Sequence, residues 1–171
     1  MSTANFTNLK ALIVEDNPHM RALLRSLLQA LGIKTVLESC DGATGFAEVC
    51  IRNPDLVLTD LSMEPTDGIA LTRQIRQGGC SPNPFVPIIM VTGHTERQRV
   101  EAARDAGVTE FLAKPITIQN LTSRLTEIVE RPRQFVKCEA YFGPERRRRK
   151  SESHTGPWRR GEDFKDDLEI R

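Results

Sequence analysis

Five residues, Leu56-Val57-Leu58-Thr59-Asp60, constrain this chain more than any others. The run is apolar and β-branched, too short for a helix and preceded by Pro54, so it reads as a strand buried on both faces. Such a strand needs helices packed above and below its sheet. It ends on a carboxylate, followed by Leu61-Ser62. Two other runs share the pattern: Leu12-Ile13-Val14 stops at Glu15-Asp16, and Ile88-Ile89-Met90-Val91 stops at Thr92-Gly93. Ligands of open α/β sheets bind just beyond the carboxyl ends of the strands, so these tips deliver three acids and a hydroxyl to one edge.

The segments between the runs carry helical signals. Residues 1–8 form a polar, flexible N-terminus, and a first strand spans about Lys10 to Glu15. Asn17-Pro18 opens a helix whose Met20, Leu23, Leu24, Leu27, Leu28 and Leu31 keep helical spacing. Thr35 to Ser39 is a more polar strand, of edge character. Asp41-Gly42 caps a helix that Pro54 ends, and Asp67-Gly68 begins another, closed by Gly78-Gly79 and a proline-punctuated loop. A strand from Val86 to Thr92, a polar helix over 96–106, a strand from Glu110 to Ala113, the exit Lys114-Pro115 and a helix bearing Leu121, Leu125, Ile128 and Val129 complete the pattern. Strict alternation of five strands and five helices predicts an α/β, doubly wound parallel sheet over residues 9–131.

The length of 171 residues leaves room for one such domain and a tail, residues 132–171. Residues 1–131 hold thirteen basic and fifteen acidic side chains, a net −2; residues 132–171 hold eleven and eight, a net +3. Cys40, Cys50, Cys80 and Cys138 lie at no metal-ligand spacing and are expected as reduced thiols. With no secretory leader and no apolar run near the roughly 18 residues of a membrane span, the expectation is a soluble cytoplasmic protein.

Converging carboxylates repel one another and are costly to keep ionised without a cation; Mg2+, which takes oxygen ligands and keeps several waters, is the natural counter-charge. The ordered set Glu15-Asp16, Asp60, Thr92 and Lys114-Pro115 resembles the receiver domain of response regulators, the CheY-like fold, over residues 9–131. The strand order 2-1-3-4-5 comes with that resemblance. So do the roles it implies. Glu15, Asp16, Asp60 and the backbone carbonyl of Ser62 hold Mg2+, and Asp60 accepts a phosphoryl group from a histidine kinase. Lys114 and Thr92 attend the acyl phosphate, Phe111 acts as a rotamer switch, and a cis bond precedes Pro115. The resemblance implies a two-component signalling domain and not an enzyme. Other readings stand beside it: a strand-tip Asp alone is an ordinary cap, Phe111 alone a core aromatic, and the whole pocket could be an idle scaffold. Glu64-Pro65 departs from the family, whose proline falls four residues after the acceptor, and His94 lies near the pocket mouth.

The tail has few aliphatic residues and repeated Gly-Pro pairs, so it is expected to be disordered or to fold on binding. Five of the chain's nine aromatics lie in it, Phe135, Tyr141, Phe142, Trp158 and Phe164, and such rings await a partner. Gly143-Pro144-Glu145-Arg146-Arg147 is echoed by Gly156-Pro157-Trp158-Arg159-Arg160, each Gly-Pro reading as a turn before arginines. Arginine forks bond phosphate bidentately and grip the O6/N7 edge of guanine, while the acid of Arg160-Gly161-Glu162-Asp163 could accept guanine N–H groups. Arg146, Arg147, Arg148, Arg149, Trp158, Arg159, Arg160 and Asp163 therefore suit a ligand with two guanines and two phosphates. The combination resembles the CheY-like cyclic di-GMP effectors, associated with the flagellar motor and surface attachment, and implies the motor switch as a protein partner. Two alternatives remain: a phosphorylation-controlled single-domain regulator with an incidental basic tail, and a nucleic-acid-binding regulator. For the latter, DNA is disfavoured because no helix-turn-helix can form from this segment.

Overall fold

In the computed structural model, which describes residues 5–77, 79, 81–93, 97–138, 140–145 and 169–170 (backbone alone at 97, 169 and 170), the five runs make one parallel sheet. Its strands are β1 (Lys10–Val14), β2 (Thr35–Ser39), β3 (Leu56–Asp60), β4 (Ile88–Thr92) and β5 (Glu110–Ala113). Between and after them come α1 (Pro18–Ala30), α2 (Gly42–Arg52), α3 (Gly68–Gln77), α4 (Arg97–Ala106) and α5 (Ile118–Glu130). The order is β2-β1-β3-β4-β5, as the resemblance implied. Val14 lies opposite Thr59, and Asp60 opposite Val91, so the acid-bearing tips of β1 and β3 emerge at one edge.

Side-chain alternation sorts the strand residues between two layers. Leu56 and Leu58 join Ile13, Ile89 and Val91 beneath α1 and α5, against Leu24, Leu28, Leu121 and Leu125. Val57 joins Leu12, Val14 and Ile88 on the other face, against Val49, Leu71 and Ile75 of α2 and α3. A third cluster, with Met90, Leu61 and Ile69, packs under Ala103 and Ala106 of the otherwise polar α4. The caps form as read: Asn17 Oδ1 accepts from the N–H groups of His19 and Met20, and Asp41 Oδ1 from those of Ala43 and Thr44. No helix among the described residues is long and apolar enough to cross a membrane.

Among the described residues, regular structure continues after α5. Phe135–Cys138 (β6) and Tyr141–Pro144 (β7) form an antiparallel hairpin, and Glu169–Ile170 (β8) pairs with β6 on its other side. Gly143-Pro144, expected as a turn, instead ends a strand. Pro144 sits opposite Phe135 on edge strand β7, where its missing N–H costs no ladder bond, and the next N–H, of Glu145, reaches Gln134 O at 2.7 Å.

The hairpin docks on the sheet-and-helix domain by aromatic contact. The ring centroids of Phe135 and Phe142 lie 5.2 and 5.3 Å from that of Phe85, both in edge-on geometry. Arg76 of α3 lies beneath them, 4% exposed, with its guanidinium carbon 5.0 Å from the Phe135 centroid. Its donors are spent on carbonyls: Nε on Gly107 O at 3.0 Å, Nη1 on Pro84 O and Val86 O at 2.7 and 2.8 Å. Burial lowers its pKa to about 9. Gly143 meets Gly107 closely enough that a Cβ on it would stand 2.8 Å from the Gly107 Cα and 2.6 Å from the Tyr141 hydroxyl. Three of the tail's rings thus find part of their partner in the chain itself.

Candidate functional site

The carboxyl edge of the sheet is built from the strands upward. β1 ends at Val14 and carries Glu15 into a buried position, where Oε1 accepts the Asn17 N–H at 3.1 Å. Oε2 is buried without a hydrogen-bond partner among the described residues, and the Lys114 ammonium stands 3.8 Å from it. β3 ends on Asp60, 7% exposed, whose Oδ1 accepts from Lys114 Nζ at 2.8 Å and whose Oδ2 accepts from the Ser62 N–H at 3.2 Å. Asp16, exposed, completes the group: one carboxylate oxygen from each of Glu15, Asp16 and Asp60 lies within 4.8 Å of the others.

The electrostatics follow from crowding. Burial, and then the neighbouring Asp60 charge, raise the Glu15 pKa from 4.5 to about 7, against the Asn17 N–H and Lys114, which lower it. Burial opposes the Lys114 ammonium, but the hydrogen bond and charge of Asp60, with Glu15 and Asp16 behind, leave its pKa raised. One ammonium faces three carboxyl groups. A hard-oxygen donor set with a hydrogen-bond-starved buried oxygen fits a divalent cation such as Mg2+, the ion that receiver domains bind at an acidic site.

Close packing fixes the loop that follows Asp60. A Cβ on Gly68 would collide with the Asp60 carbonyl, so the glycine lets α3 begin directly against the strand end, and its N–H reaches Leu61 O at 3.3 Å. The loop carries a cis Glu64–Pro65 bond, and Lys114–Pro115 is cis as the resemblance implied. Thr92 is buried at the β4 tip; its carbonyl accepts the Lys114 N–H at 2.9 Å and its hydroxyl donates to Gly93 O at 3.0 Å, turned along its own loop. Phe111 is half-buried against the apolar cluster under α4. Glu15, Asp16, Asp60, Ser62, Thr92 and Lys114 are therefore brought together. His94, Arg146 to Arg149, Trp158, Arg159, Arg160 and Asp163 lie outside the described residues.

One neighbour of the site escaped the sequence reading. Arg99 of α4 reaches over the β3–α3 loop to the Ser62 hydroxyl at 2.7 Å and the Asp67 carboxylate at 3.2 Å. It stands in a helix with three basic residues among ten, where periodicity marks no single one of them.

Comparison with known proteins agrees with this geometry. The family described as Response regulator receiver domain matches residues 11–126. The chemotaxis protein CheY-3 of Vibrio cholerae is 34% identical over 124 residues, covering 72% of this chain and 94% of that protein. The chemotaxis protein CheY of Pseudomonas aeruginosa is 34% identical over 123 residues, covering 72% and 98%. Among solved structures, the receiver domain of a sensor histidine kinase from P. aeruginosa, with magnesium coordinated in its active-site cleft, superposes with a TM-score of 0.64 at 29% identity, covering 71% of this chain and 98% of that one.

Proposed function

The chain belongs to the response regulator receiver family, and on that premise we propose that it is a phosphorylation-controlled signalling switch whose acceptor is Asp60. The observation that carries this is the Lys114–Asp60 contact of 2.8 Å inside the cluster of Glu15, Asp16 and Asp60. An Asp60 carboxylate oxygen attacks the phosphorus of a phosphohistidine on a histidine kinase. The new O–P bond forms as the P–N bond breaks, its electron pair leaving with the imidazole. Lys114 holds the carboxylate in place and offers its charge to the transferring oxygens. Glu15, Asp16, Asp60 and the Ser62 carbonyl would hold a magnesium ion, which would supply further positive charge near those oxygens. Thr92, at the adjacent tip, turns its hydroxyl toward the acyl phosphate, and Phe111 responds as the switch residue. Since the two relatives named above are chemotaxis proteins, the flagellar motor switch is the output partner we favour.

Acetyl phosphate with Mg2+ should label the wild type, Asp60→Asn should take up no label, and Lys114→Met should label much more slowly. An unlabelled wild type would leave the pocket as a scaffold.

A second reading rests on the sequence of residues 146–163, whose paired arginine clusters and Trp158 suit cyclic di-GMP. What favours it is that the Glu145–Gln134 bond closes the hairpin, whose Phe135 and Phe142 pack on Phe85 of the receiver, immediately before Arg146. The dinucleotide would then modulate the switch from its tail. Titration of the full chain with cyclic di-GMP, GTP and a DNA duplex at physiological salt distinguishes this from simple cation attraction.

A further inference from the structure

One guanidinium outside the carboxylate pocket grips both ends of the loop that follows Asp60. Arg99 lies in the first turn of α4, and its Nη1 donates to Ser62 Oγ at 2.7 Å. Nη2 donates to Asp67 Oδ2 at 3.2 Å and, at 3.4 Å, to the Leu61 carbonyl. Each grip leads to the acceptor. Ser62 presents its N–H to Asp60 Oδ2, and the Leu61 carbonyl also accepts from Gly68, which seats α3 against Asp60. The other oxygen of Asp67 accepts the Ala70 N–H at 2.8 Å and starts that helix. As an ion pair the contact is worth little, since the Arg99 and Asp67 side chains are 39% and 35% exposed. Its effect is geometric: a planar fork spans three oxygens on two ends of one loop, which a lysine ammonium cannot do.

We propose that Arg99 is a positioning residue for phosphoryl transfer, holding the β3–α3 loop against α4 so that the Ser62 backbone is in place at Asp60 before a donor arrives. Chemistry that depends on preset dipoles slows when those dipoles must first be ordered. The proposal rests on Asp60 being the phosphoacceptor.

The test compares wild type, Arg99→Ala and Arg99→Lys by acetyl phosphate labelling, by Mg2+ titration and, without metal, by hydrogen exchange of the Ser62 and Gly68 amides. Arg99→Ala should exchange these amides faster, need more Mg2+, and label roughly three- to tenfold more slowly, the equivalent of about one net hydrogen bond. Arg99→Lys, which keeps the charge, should restore less than half of the loss and guards against a folding defect in the alanine variant. Unchanged labelling and Mg2+ dependence in Arg99→Ala would overturn the proposal, as would faster amide exchange with no effect on labelling. Were the wild type itself unlabelled, the phosphoacceptor reading would fail, and the Mg2+ titration would still decide for Arg99: weaker binding in the alanine variant upholds its positioning role, equal binding removes it.

Discussion

At the scale of single residues, the sharpest conflict is at Glu15, a buried carboxyl with one oxygen lacking a hydrogen bond and Asp60 beside it. Below pH about 4.5 the group is protonated in folded and unfolded chains alike. Between 4.5 and about 7 the unfolded chain gives up the proton and the folded one keeps it, so stability falls as pH rises through this window and levels off above it. The metal-free protein should therefore have a higher urea midpoint at pH 5 than at pH 8, with Glu15 accounting for on the order of 1–3 kcal/mol. Glu15→Gln should flatten that slope, and saturating Mg2+ at pH 8 should recover what deprotonation costs. Equal pH slopes for wild type and Glu15→Gln would show that burial does not hold the proton. The carboxylates of this site were legible in the sequence because each follows an apolar run, so a strand boundary fixes its address. Arg99 was not: its role depends on which loop lies across from α4, a tertiary fact with no local signature.

At the scale of elements, the five strands and five helices were legible because hydrophobic period and cap chemistry agree at nearly every boundary. The hairpin was not. Its strands are four residues each, carry few aliphatic side chains, and contain Gly143-Pro144, which local rules assign to a turn. What stabilises them is non-local: Phe85 ahead of β4, Arg76 at the end of α3 and Gly107 after α4 form a seat that no one segment reveals. Phe142→Ala should accordingly lower stability by about 1–3 kcal/mol, less than a full core truncation because the ring is only half-buried. Gly143→Ala should destabilise as well, since its Cβ would press on the Gly107 backbone. Urea denaturation of both variants measures this. If each matches the wild type within error, the hairpin is a passive appendage.

Across the whole molecule, the two ends of the sheet carry different tasks. The carboxylate pocket occupies the carboxyl ends of β1, β3 and β4, while the hairpin covers the segments that lead into β4 and β5, where Arg76 bonds Pro84, Val86 and Gly107. This decides where the tail should be cut to ask what the arginines do. A chain ending at Arg131 loses Phe135 and Phe142 and uncovers Arg76 and Phe85, so a binding defect in it could reflect damage to the seat. A chain ending at Glu145 keeps β6, β7 and the Glu145–Gln134 bond and gives up only the two β8 pairings within the described residues. It should keep nearly the stability of the full chain and the same acetyl phosphate labelling and, on the reading that residues 146–163 take cyclic di-GMP, show no affinity for that dinucleotide. In the full chain, Arg147→Lys with Arg160→Lys preserves net charge but removes planar forks, each worth about 1–3 kcal/mol at a base edge, so binding should weaken by roughly tenfold or far more. Attraction by charge alone predicts the opposite, lysine variants that bind as well as wild type and an affinity that decays steeply with salt. Calorimetric titration of the shortened and double-lysine chains separates the two, and undiminished binding by the chain ending at Glu145 would remove the dinucleotide from the tail altogether.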